Sequence, residues 1–170
     1  MDETAVAKFS SWGSWKNRQA RVIPDAEVVS DDGNVVAGTS GSVRLNDEQA
    51  FVWTPEDGMQ EIRIPGRSGV KAEGLSADGN FVLVSAHTSS ARAFLARWNR
   101  LTGKYDTVFD SVDETAYVWG RSITSDGGVV RYGSRDNNTL PTDYLWDELR
   151  GSRPTMDVLV EEYGLGPELD

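Results

Sequence analysis

Cysteine is missing from all 170 residues, which excludes disulfides and thiolate-held metals and leaves the cellular compartment open. Basic residues are scarce: 17 Lys and Arg stand against 27 Asp and Glu, a formal net charge of −10. That balance argues against a nucleic-acid backbone or an anionic lipid surface as partner, since both need clustered cations. No apolar run approaches the ~18 residues of a membrane span. The opening residues, Met1 to Lys8, carry neither a basic n-region nor an apolar h-region, so no secretory leader is expected there. A calcium loop of the Asp-x-Asp-x-Asp-Gly type is also absent, and neither a metal nor a cofactor is expected. Histidine occurs once, at His87, in a stretch with Thr88, Ser89 and Ser90. A Ser-His-Asp device needs three groups in geometric reach, which nothing here specifies, so a solvated loop histidine is expected.

What the chain has instead is a cassette repeated three times. Each copy begins with a Ser/Thr-x-Asp-Gly turn: Ser30 to Gly33, Ser76 to Gly79 and Thr124 to Gly127. A tryptophan follows 19 or 20 residues after the glycine, at Trp53, Trp98 and Trp146, and another glycine five residues later, at Gly58, Gly103 and Gly151. Gly33 to Gly79 is 46 residues and Gly79 to Gly127 is 48, the period of a β-propeller blade. Asp-Gly between β-branched or aromatic runs is a hairpin signal, because glycine reaches positive φ without steric cost.

Aligned on that turn, each cassette yields four short strands. Strand A precedes it (26–29, 72–75, 120–123), strand B follows (34–38, 80–84, 128–132), and strand C carries the tryptophan (50–53, 95–98, 143–146). Strand D comes after the second glycine, at 59–64, 104–109 and roughly Thr155 to Val160. Period-2 alternation places each tryptophan on one face with Phe51, Ala96 or Tyr144, where large aromatics fill the wedge between sheets. No helix is expected. Gly13 precedes Ser30 by nearly the interval that separates Gly58 from Ser76, so residues 4–23 are expected to form a two-stranded half-blade. The predicted fold is therefore all-β and propeller-like: a half-blade at about 4–23, blades at about 26–64, 72–109 and 118–160, and a tail at 161–170.

The segment Gly74 to Val84 resembles the opening of the HAF repeat of bacterial extracellular proteins, and Ala50 to Thr54 with Gly58-Met59 is similar to that repeat's second half. Asp157-Val158-Leu159 followed by Tyr163-Gly164-Leu165 is similar to the segment that often precedes a further repeat. The resemblance covers roughly residues 26 to 165. It implies a surface or secreted, extracellular protein of propeller-like blades, sometimes attached to an autotransporter barrel, with no assigned catalytic residues.

Function is less legible than architecture. Asp31, Asp32, Asp78 and Asp126 are explained by turn formation. Acidic groups such as Asp47, Glu48, Asp110, Asp113 and Glu114 invite a glycosidase reading, but such pairs are recognised by separation in space, not along a loop. Asn137-Asn138-Thr139 matches a glycosylation sequon. In an up-down-up-down blade the A–B and C–D turns share one end, and the B–C loops (40–49, 86–92, 134–142) and D–A connections (65–71, 110–117) share the other. The first set is uniform and the second varies, so recognition is expected at the variable end, with Arg44, His87, Arg92, Arg135 and Asn137 as polar contacts. The expected function is a non-catalytic binding or structural module on a cell or particle surface, with a protein or glycan partner. Two other readings stand: an assembly subunit that pairs through an open blade edge, and a carbohydrate-active enzyme.

Overall fold

Each Asp-Gly turn closes a hairpin, and the three hairpins seed three sheets. A computed structural model describes residues 25–41, 48–87, 93–111, 115–135 and 140–166. The expected half-blade at 4–23, together with Arg44, Arg92 and Asn137, lies outside the described residues. Blade 1 comprises β1 (Asp25–Val29), β2 (Val36–Ser40), β3 (Gln49–Thr54) and β4 (Gly58–Glu61). Blade 2 comprises β5 (Ser68–Leu75), β6 (Phe81–His87), β7 (Ala93–Asn99) and β8 (Tyr105–Asp110). Blade 3 comprises β9 (Tyr117–Ile123), β10 (Val129–Arg135), β11 (Thr142–Asp147) and β12 (Gly151–Pro154). Every sheet is an antiparallel meander in chain order, and the architecture is that of a β-propeller.

The register is the same in each blade. Trp53, Trp98 and Trp146 stand opposite Val36, Val82 and Val130, three residues past the turn glycine. Trp98 and Trp146 are buried at 7% and 6% exposure, whereas Trp53, on the rear of blade 1, is only partly buried. The onward face of blade 1 (Val35, Ala37, Ala50, Val52) packs on the rear face of blade 2, where Val82, Val84, Phe94, Ala96 and Trp98 point. Leu83 and Leu95 leave blade 2 from its other face and meet Val130, Tyr132 and Trp146 of blade 3. Consequently β7 is buried on both sides from Ala93 to Trp98.

The turns are the second joint between blades. Ser30 Oγ donates to Asp32 Oδ1 (2.6 Å) and accepts from the Val35 amide (2.9 Å), and the Asn34 amide donates to Asp32 (3.0 Å). Ser76, Asp78, Asn80 and Phe81 repeat this pattern, as do Thr124, Asp126, Gly128 and Val129. The Ser30 hydroxyl and the Asn34 amide favour the charged carboxylate and hold Asp32 down at about 2. Successive turns are then stitched together: the Asp31 amide donates to the Ala77 carbonyl (2.9 Å), and the Asp78 amide to the Ser125 carbonyl (3.3 Å). The glycines Gly79 and Gly127 back directly onto Val35 and Phe81 of the preceding blade, where a Cβ would approach to 2.6 and 2.3 Å.

One expected strand is a helix. Strand D of blade 3 is Gly151–Pro154, and the residues expected to form it, Thr155 to Val160, belong to α1 (Thr155–Glu161). Pro154 lacks an amide to extend the ladder and, with φ at −54°, sits just ahead of the first helical turn, which carries the favourably placed Asp157. Val158 is the buried residue of this helix and, with Val129 and Leu145, lines a groove between α1 and the onward face of blade 3.

Two stability series follow. Trp98→Ala and Trp146→Ala should each cost about 3–5 kcal/mol, and the less buried Trp53→Ala clearly less, read from urea unfolding. Gly103, at φ +68° with open space around its Cα, should cost about 1 kcal/mol on conversion to alanine. Gly79→Ala and Gly127→Ala should cost more, because they add the inter-blade clash to the same backbone strain.

Candidate functional site

The two ends of the blade stack differ in what their residues are already doing. At the Asp-Gly end, amides, carbonyls and glycine Cα surfaces are used to join blades. At the other end the strands reach further than expected: Ser68 to Lys71 belong to β5 and Tyr117 to β9, which narrows the D–A connections to 62–67 and 111–116. His87 and Arg135, expected in loops, are the last residues of β6 and β10. They prove to be equivalent, for His87 stands opposite Ser68 as Arg135 stands opposite Tyr117. His87 is half-buried rather than a solvated loop residue. Its Nδ1 lies 3.4 Å from Ser68 Oγ, and its ring occupies the space where Gly69 would carry a Cβ. The Arg135 guanidinium lies 5.3 Å from the centre of the Tyr117 ring. Of the carboxylates weighed as a glycosidase pair, Asp110 is ion-paired to Arg67 (2.7 Å) and Glu48 to Lys71 (3.0 Å). Asp47, Asp113 and Glu114 lie outside the described residues.

A regular feature of strand A went unread in the sequence. Each A strand has a bulge, between Ala26 and Val28, between Ala72 and Gly74, and opposite Arg131 and Tyr132. A bulge re-aims the extra side chain, and that residue is Glu27, Glu73 or Arg121. The legible signal was an ionisable residue six positions before each turn glycine. Burial raises the Glu73 carboxyl above its ordinary range even though the Ser85 hydroxyl donates to it (2.5 Å) and the Gly120 amide faces it. Gly120 has no room for a side chain, since a Cβ would lie 2.6 Å from Glu73 Cβ and 2.7 Å from Leu83. Glu27 is likewise raised, chiefly by burial, with Asp25 and Glu48 adding repulsion and Thr39 and Lys71 opposing it. Among the described residues no group of three or more His, Cys, Asp or Glu is arranged to hold a metal ion.

Blade 3 departs from the other two on its onward face. Where blades 1 and 2 place Ala37 with Ala50 and Leu83 with Leu95, blade 3 places Arg131 and Asp143, an ion pair at 2.7 Å with both side chains partly exposed. Asp143 also faces Arg121 Nε at 3.7 Å. Where those blades place Thr39 and Ser85, blade 3 has Gly133, directly opposite Trp119. A Cβ on Gly133 would meet three atoms of the indole ring at 2.4 to 2.5 Å, so the ring lies across the glycine. Tyr117, two residues earlier on the same face, is 55% exposed.

The folded Glu73 carboxyl holds a proton to higher pH than the unfolded one, so its contribution to stability declines as pH rises through that interval. Glu73→Gln keeps an acceptor for Ser85 without the buried charge. It should raise the urea midpoint at pH 7, and the gain should vanish as pH falls towards 4.

A scan against protein-family models finds no match, and a sequence search of curated proteins finds none either. Solved structures do match in fold. TolB from Acinetobacter baumannii superposes with a TM-score of 0.55 at 12% identity, over 79% of this chain and 32% of that one. A putative TolB from Agrobacterium tumefaciens gives 0.53 at 14% identity, over 78% and 48%. The β-propeller domain of the Trilobed protease from Pyrococcus furiosus gives 0.53 at 12%, over 77% and 41%. The chain spans less than half the length of each of these, and at such identities the likeness establishes the propeller fold and nothing finer.

Proposed function

We propose that this chain is a non-catalytic binding module, displayed on a cell or particle surface as the resemblance to HAF repeats implies, whose blades hold a recognition surface at the end opposite the Asp-Gly turns. The observation that carries this reading is the division of labour between the two ends. The Asp31–Ala77 and Asp78–Ser125 hydrogen bonds, with Gly79 and Gly127 packed on Val35 and Phe81, commit one end to joining blades. Residues there cannot change without loosening the stack. Among the described residues the other end is joined by side-chain contacts such as the Lys71–Glu48 ion pair, without backbone hydrogen bonds from turn to turn, and rigid strands deliver His87 and Arg135 to its edge. Arg44, Arg92 and Asn137 belong to the same set by sequence position. In a chain of net charge −10, the arginines of this set suit an acidic or polar partner.

The test is a glycan array and a chromogenic sugar panel, run with the wild-type chain and with alanine at Arg44, His87, Arg92, Arg135 and Asn137. Retention without turnover, about tenfold weaker in the variant at a nearly unchanged melting temperature, is the expected result. Hydrolysis of the panel, or equal loss on substituting exposed residues of the Asp-Gly end, would overturn the reading.

A further inference from the structure

We infer that the onward face of blade 3 is a binding strip for an anionic glycan, a uronic-acid-bearing chain that stacks on Trp119 and Tyr117 and pairs its carboxylates with Arg121, Arg131 and Arg135. The inference rests on the binding-module reading and gives it a ligand class and a place.

This face is not shaped to receive another blade. Where a blade-covered face carries Ala37 and Ala50, or Leu83 and Leu95, it carries Arg131 and Asp143, and α1 lies beside it, its Val158 lining a groove with Val129 and Leu145. Burying an exposed ion pair under a further sheet would cost desolvation that the apolar pairs of the other blades avoid. Among the described residues, what remains open is a strip along β9 and β10. Tyr117 and Trp119 lie two residues apart on one strand, hence about 7 Å from each other on the same face. Opposite them stand Arg135 and Gly133. Gly133 lets the indole lie flat instead of standing out from the sheet, which presents a π-face parallel to the surface. The apolar face of a sugar ring stacks on such a platform while its hydroxyls stay free to hydrogen-bond at the rim.

The rim has the chemistry for an acid. Among the described residues three guanidiniums border the rings against one carboxylate, Asp143, in a chain that is otherwise strongly acidic. Arg121 is 46% exposed, lies 5.4 Å from the Trp119 ring centre and holds Asp143 only at 3.7 Å, so its fork can turn to a ligand carboxylate. Arg135 is placed the same way over Tyr117. Asp143 accepts from sugar hydroxyls. A neutral glycan would use the rings and leave the guanidiniums idle, and an anionic one uses both.

The experiment is calorimetric titration of the full chain with oligogalacturonate, and with a malto-oligosaccharide of equal length as the neutral counterpart. Oligogalacturonate should bind, more weakly as salt rises, and the neutral sugar should bind much less. Trp119→Ala should lower affinity about tenfold. Should that variant unfold, Gly133→Ser makes the same test, since serine occupies the equivalent position in blade 2 at Ser85 and would lift the indole off the sheet. Arg121→Gln with Arg131→Gln should weaken binding and reduce its salt dependence, with Arg135 retaining the remainder. Unchanged affinity in Gly133→Ser, equal binding of the two sugars, or no binding of oligogalacturonate would overturn the inference. So would a concentration-dependent mass abolished by Trp119→Ala, which would assign the strip to a second copy of the chain. If binding falls in an Arg44, His87 and Arg92 alanine variant but not in Trp119→Ala, the binding-module reading stands and this site does not.

Discussion

Blades 2 and 3 are held in register by one buried guanidinium. Arg97 leaves β7 between Ala96 and Trp98 at a position where blade 1 has Val52 and blade 3 has Leu145. Its Nη1 donates to the Gly127 carbonyl (2.8 Å), its Nη2 to Asp106 (2.7 Å) and Glu148 (3.1 Å), and its plane lies against Phe81 and Trp146. One side chain thus touches the Asp-Gly turn, strand D of its own blade, the C–D turn of the next and the repeat tryptophan. Only arginine offers both a flat face for two rings and a fork for oxygens on different elements. Asp106 and Glu148 remain partly in water, so the pair avoids the full penalty of burying charges of both signs.

That arrangement explains what the residues alone could and could not reveal. The turn glycines and their Ser/Thr partners were legible because positive φ and a short-range side-chain cap are local demands, met within six residues. The tryptophans were legible because their place depends on strand alternation and a constant interval. Arg97 was not, since an arginine beside a tryptophan on a strand reads as the solvated side of the alternation. Its burial comes from a second sheet supplied 30 residues later, at Gly127. Trp119 was equally silent, because its flatness depends on a glycine that faces it across another strand. The helix at Thr155–Glu161 was missed by extending the cassette past Pro154, where a residue that cannot donate to a ladder ends it.

Blade 3 shows how few residues change the character of a blade face. A blade covered on both sides presents apolar residues to each neighbour, as β7 does, whereas the onward face of blade 3 carries charge. Here the change takes few residues: an apolar pair becomes Arg131 with Asp143, and the apolar remainder, Val129 and Leu145, lines a groove with Val158 of the helix. The bulge residue follows the same logic. Glu73, which blade 3 covers, is held by Ser85 and Gly120, and its counterpart Arg121 looks out over an open face.

The hydrogen bonds between successive turns have a further consequence, for how such a chain changes length over evolutionary time. Each join takes one donor from a turn and one acceptor from the next, with the donor moving only from the second to the third turn residue between the first join and the second. Every internal blade therefore carries a plug and a socket of the same kind. A duplicated segment that runs from one Asp-Gly turn to the next brings both, and can enter the stack without any change in its neighbours. A duplication that omitted the turn would bring a sheet with neither connector, so the turn must travel with its sheet as the heritable unit of growth.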